Sequence, residues 1–253
     1  MNVKILRNVL ESNDAIAAKV RARLAERKIA ALNLIGGAGS GKTTLLEKTI
    51  PALKGWRTAV IEGDIAGARD AERIARLGVP AIQLNTGGAC HLEAALVERG
   101  LGELDLAKAD LLFIENVGNI ACPAEFDLGE TAKVALLSVA EGHDKPSKYP
   151  LLFHEAAALV VTKVDLLPHV DFDMEAMLAD FRKLNAKAPV LKVSAKTGEG
   201  MGEWVHWVEH AAEGDVHAHP HSHGHGHGHG VPGIEPHQHP HRSGRSSVSS
   251  SGS

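Results

Sequence analysis

The chain has 253 residues, 44% of them apolar, with two cysteines and a formal net charge of −4. That length and apolar share suit one α/β domain with a substantial core, and without a long basic stretch no nucleic acid is expected as main partner. No apolar run approaches the roughly 20 residues that span a bilayer, and the start MNVKILRNVLESND lacks the centre of a secretory signal, so no membrane is involved, the location reads as cytoplasmic, and Cys90 and Cys122 are expected as thiols or ligands.

Ser12 or Asn13 reads as the N-cap of an amphipathic helix reaching Lys28, with Ile16, Val20 and Leu24 on its apolar stripe. The run Ala31 to Ile35 follows as a strand. It enters Gly36 to Thr43, GGAGSGKT, which fills the pattern G-x-x-x-x-G-K-[ST], and a helix is expected over Thr43 to Leu53. Such a strand, loop and helix start points backbone N–H groups and the positive helix end at phosphates. Gly36, Gly37, Ala38, Gly39, Ser40, Gly41 and Thr44 are the cradle residues, Lys42 reaches the β and γ phosphates, and the Thr43 hydroxyl sits on Mg2+.

Beyond the loop, apolar runs at Thr58 to Ile61, Ala81 to Leu84, Leu111 to Ile114, Val134 to Val139, Ala158 to Val161 and Val190 to Val193 read as strands. Helical patterns at Ala68 to Leu77, His91 to Arg99, Met174 to Leu184 and Met201 to Ala211 are interleaved with them. The alternation predicts a P-loop α/β fold, a mostly parallel sheet with helices on both faces and ligands beyond the strands' carboxyl ends. From Gly214 the composition turns to His, Gly, Pro and Ser, which reads as a disordered tail over 214–253 after a domain over 1–213.

Two acids are candidates for the Mg2+ and catalytic region with Lys42: Asp64, after the strand that begins at Thr58, and Glu115, which closes Leu111 to Ile114. A strand-end turn is the plainer reading of Asp64. Gly118, in ENVGN, is a candidate γ-phosphate sensor or else a structural glycine. No glutamine or arginine finger stands out near these segments, so intrinsic hydrolysis is expected to be slow.

Two further segments, Thr162-Lys163-Val164-Asp165 and Ser194-Ala195-Lys196, each follow a strand and resemble the base-reading motifs [NT]-K-x-D and S-A-K of GTPases. A carboxylate at Asp165 accepts from the N1–H and amine of guanine, which adenine cannot match, so the nucleotide is expected to be GTP. Threonine at position 162 shortens the usual Asn and is expected to loosen base affinity.

Cys90 and His91 adjoin in GGACHL and Cys122 lies in NIACPAE; thiolate and imidazole suit Zn2+ and Ni2+. Three groups fall short of a tetrahedral set, whereas a two-fold homodimer supplies six. Buried, inert cysteines are the alternative. Ten of the 16 histidines, His217, His219, His221, His223, His225, His227, His229, His237, His239 and His241, lie in the tail, whose spacing fits numerous Ni2+ sites of moderate affinity, a store, or else a purification tag.

The segments GGAGSGKTT, EGDIAG, GGACHL, ENVGNIACPAEFDLGE, SVAEGHDKPSKYPLLF and TKVDLLP together resemble the HypB family of nickel-incorporation GTPases that mature [NiFe] hydrogenase, over about residues 1–213. The resemblance implies a SIMIBI-type G domain that dimerises on GTP binding, holds Ni2+ or Zn2+ through Cys90, His91 and Cys122 at the dimer interface, and helps deliver nickel to the hydrogenase large subunit. It implies a HypA-like accessory protein docking on the N-terminal segment, 1–28, and a cross-dimer nucleotide contact from Lys145 or Lys148, for which solvated lysines are the alternative. Some members carry an N-terminal cysteine cluster, which MNVKILRN lacks, so tight nickel capture there is not expected; the histidine stretch, elsewhere N-terminal, here follows the domain. Rival readings are a urease-type, UreG-like maturation GTPase, disfavoured by the adjacent Cys and His, a nickel storage protein, and a small-molecule kinase, disfavoured by Asp165.

Overall fold

The computed structural model describes residues 2–64 and 69–214, the side chains of 2–8, 69 and 71 excepted. The tail histidines His217 to His241 and the last three residues of EGDIAG therefore lie outside the described residues.

In chain order the elements are α1 (Asn2–Glu26), β1 (Ala30–Gly36), α2 (Lys42–Ala52), β2 (Thr58–Asp64), α3 (Arg69–Ala75), β3 (Ala81–Asn85), α4 (Ala94–Glu103), β4 (Leu111–Glu115), α5 (Cys122–Glu125), β5 (Ala132–Ser138), α6 (Lys145–Lys148), α7 (Pro150–Glu155), β6 (Ala158–Thr162), α8 (Met174–Leu184), β7 (Val190–Val193) and α9 (Met201–Glu213). The seven strands form one parallel sheet in the order β3-β2-β4-β1-β5-β6-β7. β1 lies inside, and the chain leaves it toward β2 on one side and later reaches β5 on the other. That switch opens a crevice at its carboxyl end, where α/β sheets bind ligands. Among the described residues no helix is long and apolar enough to cross a membrane.

The pleat sorts side chains onto two faces. Leu32 and Leu34 of β1, Phe113 of β4 and Val134 of β5 join Leu45, Leu46 and Trp204 in one cluster. The opposite face carries Ala31, Leu112 and Ile114 against Val20 of α1 and Val97 of α4, with Ile35, Ala135 and Leu137 against Phe153 and Phe181 farther along. Asn33, fully buried in mid-strand, interrupts that second face, and its side chain bonds to Glu130 Oε1 (3.2 Å) and Asn116 Nδ2 (3.3 Å).

All seven expected strands form, and two helix starts are corrected. Ser12 and Asn13 cap nothing in their own helix: α1 continues back to Asn2 through residues that include no Gly or Pro. The Asn13 side chain instead donates to Asp127 O (2.7 Å) and accepts from Ala94 N (2.9 Å), which satisfies a first-turn N–H of α4 from another helix. α4 starts at Ala94, not His91, because Leu92 N is engaged by Asn116 Oδ1 (3.2 Å) and Glu93 is extended at φ −111°. His91 therefore lies on a loop.

Trp204 seats α9: the ring is fully buried, and Nε1 donates to Thr49 Oγ1 (2.7 Å), whose own hydroxyl donates to Leu45 O (2.7 Å). Trp204→Ala is expected to cost about 3–5 kcal/mol through cavity and lost hydrogen bond and to lower Tm by roughly 10 °C. Thermal unfolding followed by circular dichroism checks this, and an unchanged Tm would contradict the packing of α9.

Candidate nucleotide and metal sites

The loop from β1 to α2 is shaped by Gly41, whose φ of 94° lies in the left-handed region that glycine takes without a Cβ penalty. No side chain caps α2, which leaves its first N–H groups for a ligand. Lys42 is buried and donates to Gly36 O (3.0 Å) and Gly37 O (3.2 Å); burial pushes its pKa down, and Glu115 and Glu141 oppose that shift. The Thr43 hydroxyl donates to Glu115 Oε1 (2.7 Å).

A cavity of about 390 Å3 brings Lys42, Thr43, Asp64, Glu115 and Gly118 together. Glu62, which the sequence reading passed over, completes its acidic wall. It is the register partner of Glu115 across β2 and β4, and the signal was its i, i+2 spacing to Asp64 on one strand face. Burial pushes Glu62 up to about 8 with the Glu115 charge adding to the shift, and burial pushes Glu115 up to about 7. One oxygen of each, Glu62 Oε2 and Glu115 Oε2, is buried without a hydrogen-bond partner. Hard oxygens that are costly to ionise alone fit a divalent cation such as Mg2+. Arg73 also lines the cavity, and it is engaged by Glu47 (2.6 and 2.9 Å), Asp70 (2.9 Å) and Thr44 Oγ1 (3.0 Å).

A second cavity, about 240 Å3, adjoins the loop and is lined by Leu45, Lys163, Asp165, Leu166, Ala195 and Lys196 among others. Ser194 Oγ donates to Asp165 Oδ1 (2.7 Å) and accepts from Thr197 N (3.1 Å), joining the two base-reading segments. Thr162, although shorter than Asn, reaches the phosphate loop: its hydroxyl donates to Ser40 O (2.6 Å), and Lys163 Nζ donates to Gly39 O (2.6 Å). Lys145 and Lys148 both pair with Asp144 of the same chain.

On the other face of β4, the ligand atoms of Cys90, His91 and Cys122 lie within 4.8 Å of one another, all three residues being half-buried. Cys90 Sγ is 3.7 Å from His91 Nδ1. The His91 ring stacks on Phe126 at 3.9 Å, its Nε2 is buried without a hydrogen bond, and burial pushes its pKa down, which keeps the imidazole neutral. The Cys122 thiol is pushed up by its contact with Cys90 and then by burial. Two sulfurs and an imidazole suit a borderline metal better than Mg2+.

Three asparagines tie this cluster to the phosphate loop, and the sequence reading singled out none of them. Asn116 Oδ1 accepts from Leu92 N and Val117 N (3.0 Å), while Asn116 Nδ2 donates to Asn33. Asn119 Nδ2 donates to Cys90 O (3.3 Å), and the Asn119 backbone pairs with Gly36. Gly118 passes so close that a Cβ there would lie 2.9 Å from Ala38 Cα.

The raised carboxylates fix a pH dependence. Below pH 4.5, Glu62 is protonated whether folded or not; as pH rises toward about 8 the unfolded chain releases the proton first, so this stabilising contribution is progressively lost. Glu62→Gln, neutral throughout, is expected to raise Tm at pH 8 in chelator by roughly 4–8 °C after allowance for solvent screening, and to leave it nearly unchanged at pH 4, below the unfolded pKa. Equal shifts at both pH values in scanning calorimetry would contradict the raised pKa.

The description CobW/HypB/UreG, nucleotide-binding domain, matches residues 30–192. Hydrogenase maturation factor HypB of Azotobacter chroococcum mcd 1 is 54% identical over 208 residues, covering 82% of this chain and 68% of that protein. The crystal structure of HypB from Helicobacter pylori in complex with nickel is similar with a TM-score of 0.78 at 37% identity, covering 83% of this chain and 99% of that one. For hydrogenase maturation factor HypB from Archaeoglobus fulgidus the TM-score is 0.75 at 38% identity, with 80% and 100% covered. The chain belongs to the HypB family of hydrogenase maturation factors and carries that family's nucleotide-binding domain.

Proposed function

We propose that this protein is a GTP-hydrolysing nickel metallochaperone that assists Ni2+ insertion into [NiFe] hydrogenase. The observation that carries the reading is the placement of a nucleotide-type cavity and a thiol–imidazole cluster on opposite faces of one strand end, with Glu115 beside the first and Asn116 beside the second. In this reading Gly36 to Thr44 hold the phosphates, Asp165 and the Ser194 to Lys196 segment hold guanine, and Lys42 faces the β and γ phosphates. Thr43, Asp64 and Glu115 would hold Mg2+, which when bound neutralises phosphate charge. Glu115 keeps the Thr43 hydroxyl oriented, and Gly118, against Ala38, registers the γ phosphate. Turnover is slow because Arg73, the arginine at the cavity, is held by Glu47 and Asp70.

Ni2+ is the cargo, taken by Cys90, His91 and Cys122, with Zn2+ as the competing ion. Three ligands per chain leave a coordination shell that a second copy completes, so the GTP-bound protein acts as a homodimer. Domain 1–213 performs this cycle in the cytoplasm, with a HypA-like accessory protein received on 1–28 and the hydrogenase large subunit as recipient. The histidine-rich sequence 214–253 stores nickel.

Asp165→Ala tests the nucleotide half: GTP affinity is expected to fall by about tenfold or more while ATP affinity stays as weak as before, since only guanine presents donors to the carboxylate. Equilibrium dialysis with both nucleotides decides, and unchanged GTP binding would overturn guanine selection. Cys90→Ser tests the metal half: with nucleotide present, it should abolish metal-bearing dimers in native mass spectrometry while leaving GTP turnover within about twofold. Dimers that keep their metal would remove the cluster from the mechanism.

A further inference from the structure

We propose that His206 and His210, on the exposed face of α9, form a second binding site for a divalent transition-metal ion, separate from the Cys90–His91–Cys122 cluster. Both side chains are exposed, and they stand one helical turn apart with ring centroids 4.3 Å from each other and planes at 89°. Residues at i and i+4 share a helix face, and two imidazoles so placed are the paired ligands of the helical zinc motifs H-E-x-x-H and H-x-x-E-H. Residues 206–210 read HWVEH.

The helix holds the pair in place. Trp204, Val208 and Ala211 anchor the opposite face of α9 in the core, so binding orders only two side chains on a fixed backbone. His206 also borders a cleft of about 530 Å3 that includes Lys48, Glu209 and the Ala195 to Gly198 turn behind the base-reading segment. Among the described residues only Cys90, His91 and Cys122 gather three closely spaced ligands, so α9 contributes two imidazoles and water takes the remaining positions. A two-nitrogen site binds Ni2+, Cu2+ or Zn2+ moderately and releases it readily. In sequence, His210 is the last histidine before the series that begins at His217.

Trp207 is a built-in reporter, stacked on Trp204 at 5.5 Å between the two histidines in sequence, and the chain has only three tryptophans. Full-length Cys90→Ser protein titrated with Ni2+ should show saturable tryptophan quenching. The quenching should persist when the ten histidines from His217 to His241 are changed to Gln, and weaken by about tenfold or more in His206→Gln/His210→Gln with unchanged circular dichroism. His210→Gln alone serves as the second variant if the double one misfolds. Quenching that is unaltered without the pair, or lost on removing only the later histidines, would overturn the proposal.

Discussion

Side-chain alternation at the end of β4 is the constraint on which the rest of the structure depends. In a strand, neighbouring residues face opposite sides, so Glu115 and Asn116 cannot serve the same site. Glu115 turns to α2 and receives the Thr43 hydroxyl, while Asn116 turns to the α4 side and holds Leu92 N, one residue from His91. Any shift of this strand end would therefore act on both environments. The next residues extend the link: Gly118 touches Ala38, and Asn119 bonds to both Gly36 and Cys90. One short segment is thus shared by the phosphate loop and the Cys90–His91–Cys122 cluster, which gives a route by which a ligand at either could change affinity at the other if each favours a different position of that segment.

Electrostatics adds direction to that link. Glu62 and Glu115 sit side by side with burial opposing their ionisation, and each leaves one oxygen without a hydrogen bond. A cation bound there would draw both toward the charged form, while Lys42, held by the loop carbonyls, supplies fixed positive charge nearby. The second face carries softer donors and an imidazole kept neutral by burial. Hard and soft ligand sets are therefore kept apart, and the chemistry of each set is what would sort Mg2+ from a borderline metal.

Much of this was legible in the sequence because it rests on local patterns. Seven apolar runs marked the strands, and GGAGSGKT placed the phosphate loop, since a strand, glycines and a Lys-Thr pair are contiguous there. Cys90, His91 and Cys122 were grouped by their residue types and by the family resemblance, and the fold brings their ligand atoms within 4.8 Å of one another. What stayed hidden is non-local. Asn33 looked like one polar residue in an apolar run, and only the register of β1 beside β4 brings it to Asn116. Asn13 resembled a cap by residue type and turned out to serve a helix 81 positions away. Glu62 shares a strand face with Asp64 by spacing alone, but its place opposite Glu115 comes only from the register of β2 beside β4. Thr162 was legible as the residue replacing Asn in a base-reading motif, but its hydroxyl's contact with the phosphate loop spans 122 positions and could not be read from the motif.

The most direct measurement is calorimetric Ni2+ binding to the full-length chain with GDP and with a non-hydrolysable GTP analogue, the Cys90-dependent site being isolated by difference from Cys90→Ser. Coupling through Asn116 predicts affinities that differ by about 5-fold or more between nucleotide states, and a difference that collapses in Asn116→Ala while both ligands still bind. Equal Ni2+ affinity in the two nucleotide states of the parent chain would contradict the account, leaving two neighbouring sites that share a strand but exchange no free energy.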